Sequence, residues 1–226
     1  MKRAIITWWS TGLGRAISDR LVQAWYEVVC LSRSAPNEDV KHIHVDFTST
    51  DSIVQAVSSI QSDYAAFDLL VLCAGGGDIQ PRGSITQESI DATIALNLTS
   101  QITFVNALLE LIKKNNADIV DIGATIWFKA NEHMPVYSVA KWGLRGLIEN
   151  LRSNLKSTWC RVIAIHPGGM DTESNVGPNW RETIIAQQAG KQPGAMMSTD
   201  TIAQFVMAAI AMPKNIEISE VLINRK

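Results

Sequence analysis

Only three of the 226 residues are cysteine, and Cys30, Cys73 and Cys160 stand far apart in apolar runs. That spacing offers neither a disulfide framework nor the paired ligands of a zinc site, and it reads as three buried, reduced thiols. A surplus of one charge is missing too. With a formal net charge of -2, nothing electrostatic marks nucleic acid or an anionic membrane as a partner. No run reaches the roughly 18 apolar residues of a membrane span, and the first apolar run is too short for a signal peptide. Cytoplasm is therefore the expected compartment. His42 and His44 alternate on one strand without a third ligand nearby, so no metal site is predicted. No repeat or composition break divides the chain, and a single domain over 1–226 is expected.

What is present is alternation. Apolar runs at 4–7, 27–31, 42–46, 69–73, 119–122, 161–166 and 220–223 read as strands. Helical patterns fall between them at 14–25, 51–61, 87–114, 136–156 and 199–212. The strands are continuously apolar, as in a parallel sheet buried on both faces. The order predicts an α/β fold with a doubly wound parallel sheet. A stretch at about 168–198, rich in Gly, Pro, Asn, Gln and Met, reads as a long loop or lid.

Two short segments carry chemistry. Tyr137-Ser138-Val139-Ala140-Lys141 places a phenol and an ammonium four apart, on one face of a predicted helix. A tyrosine ordinarily keeps its proton to a pH of about 10, and a cation within reach favours the phenolate. The second segment is Thr7-Trp8-Trp9-Ser10-Thr11-Gly12-Leu13-Gly14-Arg15, at the turn from the first strand into a helix. Glycines there let backbone amides approach a phosphate at the positive helix end.

With these segments the chain resembles the short-chain dehydrogenase/reductase family along nearly its whole length. Further matches are Leu72-Cys73-Ala74-Gly75, Asn97, Asp46 after the third strand, and Pro167-Gly168 followed by Thr172. The resemblance implies a Rossmann-like fold and a nicotinamide cofactor. Thr7, Ser10, Gly12, Leu13 and Gly14 would lie at its phosphates, and Asp46 and Phe47 at the adenine. Ala74 and Gly75 would lie under the cofactor, and Pro167, Gly168 and Thr172 at the nicotinamide amide. Tyr137 would be the acid/base, Lys141 its partner and ribose clamp, and Asn97 the support of the lysine. The substrate implied is a small carbonyl or alcohol, and the assembly a homodimer or homotetramer built on the two long helices.

Cofactor choice follows from charge. A preference for NAD calls for a carboxylate at the end of the second strand, where this chain has Ser32 followed by Arg33. Arginine suits a 2′-phosphate, so NADP(H) is expected over NAD(H).

Two departures stand against the resemblance. Ala124 occupies the position of the family's oxygen-binding serine, with Thr125 next to it as the remaining donor. Loss of one such donor costs about 10²–10³ in rate. Trp8 stands where the family has its first turn glycine, and Trp9, Trp25, Trp127, Trp142 and Trp159 also fall where glycine is usual. Divergence is one explanation; a codon read as glycine in the source and written as tryptophan is the other. The competing function is thus a catalytically impaired nucleotide-binding or regulatory protein.

Overall fold

Strands that are apolar on both faces must be covered on both, and the computed structural model supplies the two covering layers. It describes residues 1–7, 12–35, 40–76, 83–129, 131–171 and 197–224. The elements in chain order begin with β1 (Lys2–Thr7), α1 (Gly12–Gln23), β2 (Tyr26–Ser32), β3 (Lys41–His44), α2 (Thr50–Asp63) and β4 (Leu69–Leu72). There follow α3 (Gln87–Ile94), a π-helical turn (Ala95–Thr99), α4 (Ser100–Asn115), β5 (Asp118–Ile122) and a 3₁₀ turn (Thr125–Trp127). The chain continues through α5 (Pro135–Leu155), β6 (Val162–Pro167), short strands β7 (Met170–Asp171) and β8 (Met197–Ser198), α6 (Thr199–Ala211) and β9 (Glu220–Ile223).

Seven strands form one parallel sheet in the order β3-β2-β1-β4-β5-β6-β9. Alternation along β1 sends Ile5 to one face and Ala4 and Ile6 to the other. The first face is covered by α2, α4 and α5 through Ile60, Phe104, Leu144 and Ile148. The second is covered by α1 and α6 through Ile17, Leu21, Ile202 and Val206. Strand order reverses direction between β1 and β4, which opens a crevice at their carboxyl ends.

The expected elements are present with shifted ends. The third strand stops at His44, leaving Asp46 in the following loop, and α1 starts at Gly12. The His42 ring is held by the hydroxyl and carbonyl of Ser32, and the His44 ring by the carbonyl of Arg33 just past β2. The expected loop at about 168–198 lies mostly outside the described residues. Its two described ends pair as β7 and β8. The continuous helix Gln87–Asn115 passes a test of length and apolar composition for crossing a membrane, a test that the core helix of a soluble protein also passes, and its Phe104, Leu108 and Ile112 pack on the sheet.

One helix end is strained. Trp25, just past α1, has φ +62°, the left-handed geometry that helix ends normally give to glycine. Its indole is 83% exposed, so no packing compensates.

The far edge of the sheet is tied by a buried ion pair. Arg161 Nη2 donates to Asp118 Oδ2 at 2.6 Å, and Lys214 Nζ reaches Oδ1 at 2.7 Å. The same guanidinium caps the end of α6 through the carbonyls of Ile210 and Met212. Asp118→Ala leaves that cation buried without its partner, and the expected loss is about 3–5 kcal/mol of stability. Urea unfolding of the two chains measures it.

Candidate active site

The site is assembled at the crevice, beginning with Thr7. This residue ends β1 fully buried, and its Oγ1 accepts from the backbone N–H groups of Cys73 and Ala74 at 2.9 and 3.0 Å. The chain leaving β4 is thereby fixed as it turns towards Gly75. Gln101 holds the same segment from α4, its Nε2 donating to the Ala74 carbonyl at 2.9 Å. On the other side of the crevice, Gly12 opens α1 at φ +65°, with Leu13 and Gly14 buried behind it. Ser10 lies outside the described residues.

Gly75 brings three elements together. A Cβ there would stand 2.9 Å from Asn97 Oδ1 and 3.1 Å from Lys141 Nζ, so only a bare backbone fits. Asn97 sits in the π turn, fully buried. Its amide donates to the carbonyls of Gly76 and Thr93 at 2.7 and 2.9 Å, and its Oδ1 accepts from Gly76 N–H at 3.0 Å. π turns inside helices are frequent at functional sites. Lys141 is 3% exposed, an unusual burial for an ammonium. Its Nζ lies 5.6 Å from the centre of the half-buried Tyr137 ring, one helical turn away on α5.

Thr125 does not continue the strand. Strand β5 ends at Ile122, so Thr125 opens a 3₁₀ turn, and the alternation of an extended chain no longer governs where its side chain lies. Trp142 on α5 holds that turn, its Nε1 donating to the Ile126 carbonyl at 2.8 Å. Thr125 lines a cavity of about 1090 Å³ with Phe128, His133, Ser138, Trp142 and Leu222. Tyr137 and Lys141 are not among the described residues that line it, whereas Thr125 and Ser138, the neighbour of Tyr137, are. A Cβ on Gly168 would lie 3.7 Å from Thr125 Cγ2, and Gly168 N–H donates to the Ile223 carbonyl at 2.9 Å. Thr125 and the Pro167–Gly168 segment thus meet, while Thr172 lies outside the described residues.

The residues expected at the adenosine end surround the carboxyl ends of β2 and β3. Ser32 is buried and donates to the Ser34 carbonyl at 2.7 Å, and Arg33 is exposed. The Asp46 carboxylate accepts from Thr48 N–H and Oγ1 at 2.9 and 2.7 Å. Those hydrogen bonds, the backbone one foremost, hold it below the usual carboxylate range. Phe47 packs edge-on against Phe104 at 6.0 Å in the core, so any part in binding falls to its main chain.

One buried acid escaped sequence reasoning. Asp121, in the middle of the apolar run of β5, is 1% exposed, and its Oδ2 has no partner among the described residues. Burial pushes its carboxyl up to about 7, against the pull of Lys141 and then Arg152. Burial likewise pushes the Cys73 thiol up to about 12. The sequence signal was an acid inside a strand with no polar neighbour. His166, near the end of β6, is fully buried, 3.1 Å from Glu220 Oε1 through Nε2, with the Trp127 ring at 4.1 Å.

Known proteins were compared with this arrangement. The short chain dehydrogenase family matches residues 2–182. A sepiapterin reductase from Chlorobaculum tepidum is 25% identical over 97% of this chain and 94% of its own length. An uncharacterized oxidoreductase from Staphylococcus saprophyticus is 24% identical over 98% and 96%. Among solved structures, an alcohol dehydrogenase from Thermococcus sibiricus, complexed with 5-hydroxy-NADP, superposes with a TM-score of 0.83 at 21% identity, covering 99% of this chain and 96% of that one. A 4-hydroxyisoleucine dehydrogenase complexed with NADH gives 0.87 at 17% identity, covering 99% and 97%.

A pH dependence follows from His166. Burial lowers its imidazole from 6.5 to about 4. Below pH 6.5 the unfolded chain takes up a proton that the folded chain refuses until about pH 4, so stability is lost as pH falls through that window. Urea midpoints at pH 7 and pH 4.5 should separate widely in the parent and draw together in His166→Gln.

Proposed function

Because the chain belongs to the short-chain dehydrogenase family, we propose that it is an NADP(H)-dependent oxidoreductase interconverting a small carbonyl compound and an alcohol. One observation carries this reading: Lys141, Asn97 and the bare backbone of Gly75 converge beside Tyr137 at the point where strand order reverses.

The residues suit the cofactor. The bare backbone of Gly75 lets Asn97 and Lys141 pack against the chain after β4, and a left-handed Gly12 at the start of α1 leaves main chain open to a dinucleotide. When bound, the reduced nicotinamide supplies a hydride to the carbonyl carbon. Tyr137 gives its phenolic proton to the carbonyl oxygen, so that C=O becomes CH–OH and the proton is replaced from solvent. Lys141 stabilises the phenolate left behind and holds the ribose hydroxyls, and Asn97 fixes the chain beneath the lysine. Thr125 is the donor nearest the position of the family's serine, and the adjoining cavity is the candidate substrate room. Arg33, with no acid at the end of β2, favours the 2′-phosphate of NADP(H). Only a third of the most apolar window of Gln87–Asn115 is buried within the chain, which supports a homodimer or homotetramer packed through the long helices. A cytoplasmic location accompanies this reading.

Ala124 favours a second reading, a nucleotide-binding protein without turnover. Fluorescence titration with NADPH and NADH, followed by assay on a carbonyl panel, separates the two. NADPH should bind more tightly, with turnover in the parent that Tyr137→Phe lowers by about 10²–10⁴-fold while binding persists. Binding without turnover in the parent would leave only the second reading, and binding of neither nucleotide would remove both.

A further inference from the structure

We propose that Asp121 is the buried counter-ion of Lys141, a positioning residue that sets the pH at which Tyr137 exchanges its proton. The proposal rests on the reading of Tyr137 and Lys141 given above. Along β5, Asp121 shares a sheet face with Ile119, and that face is covered by α4 and α5. Its register neighbours Leu72 on β4 and Ala164 on β6 belong to the same apolar cluster, as do Leu144 and Ile148 of α5. Lys141 enters this cluster from α5, sealed from solvent like the aspartate. No hydrogen bond joins the two among the described residues, and their coupling acts through an interior of low dielectric.

The other groups around the carboxyl are few. Arg152, further along α5, adds positive charge, and Cys73 at the end of β4 is held neutral by burial. Gln101 on α4 carries no charge, although its Oε1 is also buried without a partner among the described residues. Lys141 therefore faces a carboxyl that burial makes neutral in acid and that ionises near pH 7. Once ionised, Asp121 offsets part of the ammonium's field and weakens its hold on the phenolate.

Asp121→Asn keeps the shape and fixes the neutral state. Its pH–activity midpoint should move down by about one unit, whichever direction of reaction is followed. A purely structural role would lower activity without moving the midpoint, and a profile superposing on the parent's overturns the proposal. A second measurement needs neither the variant nor turnover. In the parent labelled with ¹³C-carboxyl aspartate, one carboxyl resonance should titrate near neutrality. If every aspartate titrates below about pH 5, the proposal is overturned. Absence of turnover in the parent would sink the functional reading and leave this titration to decide for Asp121.

A second inference rests on different residues. Tryptophan numbers seven against five phenylalanines and three tyrosines, and two of its described positions, 25 and 127, suit a residue without a side chain. Trp25 holds a left-handed helix end with its indole in solvent. Trp127 is buried with no partner for Nε1 among the described residues, crowded against His166 and Gly123. Trp142 and Trp159 are more than half exposed, at 55% and 62%. We infer that the source organism decodes as glycine the codon written here as tryptophan. In sequence, the turn after β1 would then read Thr-Gly-Gly-Ser-Thr-Gly-Leu-Gly, a loop able to bring backbone amides to a phosphate. Peptide sequencing of the protein purified from its own source should find glycine at these positions, and tryptophan there, from standard UGG codons, ends the idea. In the chain as written, Trp25→Gly should raise the melting temperature by about 2–4 °C; a fall would remove position 25 from the argument.

Discussion

The site hangs on the hydroxyl of Thr7. Placed at the last residue of β1, it accepts two backbone N–H groups from the chain leaving β4. Neighbouring strands whose connections leave on opposite sides diverge at their carboxyl ends, and this clasp keeps their main chains in a fixed relation where they part. Two residues on, Gly75 lies against Asn97 and Lys141 because the β4 segment is held at that height. Without the clasp, the helix residues would face a loop of unspecified course.

Around that point the structure accepts buried charge and unsatisfied polarity. Lys141, Asp121 and Asn97 lie within an apolar layer built from α4, α5 and the sheet. A buried lysine and a buried acid each carry a desolvation cost, and such groups concentrate where they act on a proton. The Asp118–Arg161 pair at the far edge is a different case. Its hydrogen bonds run to helix-end carbonyls and Lys214, and it joins α6 to the sheet.

Much of this was legible in the residue order. Continuous apolar strands alternating with helical periods specified a parallel, doubly wound sheet, since only burial on both faces tolerates such strands. The four-residue spacing of Tyr137 and Lys141 placed them on one helix face because an α-helix repeats every 3.6 residues. Asn97 was picked out by resemblance, and the π turn that lets its amide reach two carbonyls became visible only in three dimensions. Thr125 shows the opposite limit: the apolar run ends at Ile122 in sequence as in the structure, but the 3₁₀ turn that carries Thr125 beyond it is not marked by composition.

Local periodicity and turn chemistry, which act between residues a few positions apart, determined the element order, the sheet type and the helical Tyr–Lys pair. Tertiary structure alone decided that Asp121 on β5 and Lys141 on α5 share one buried layer, that Thr7 clasps Cys73 and Ala74, and that Thr125 meets Gly168. Those meetings join residues far apart in sequence. Their distances are set by strand order and helix packing, which are properties of the whole fold.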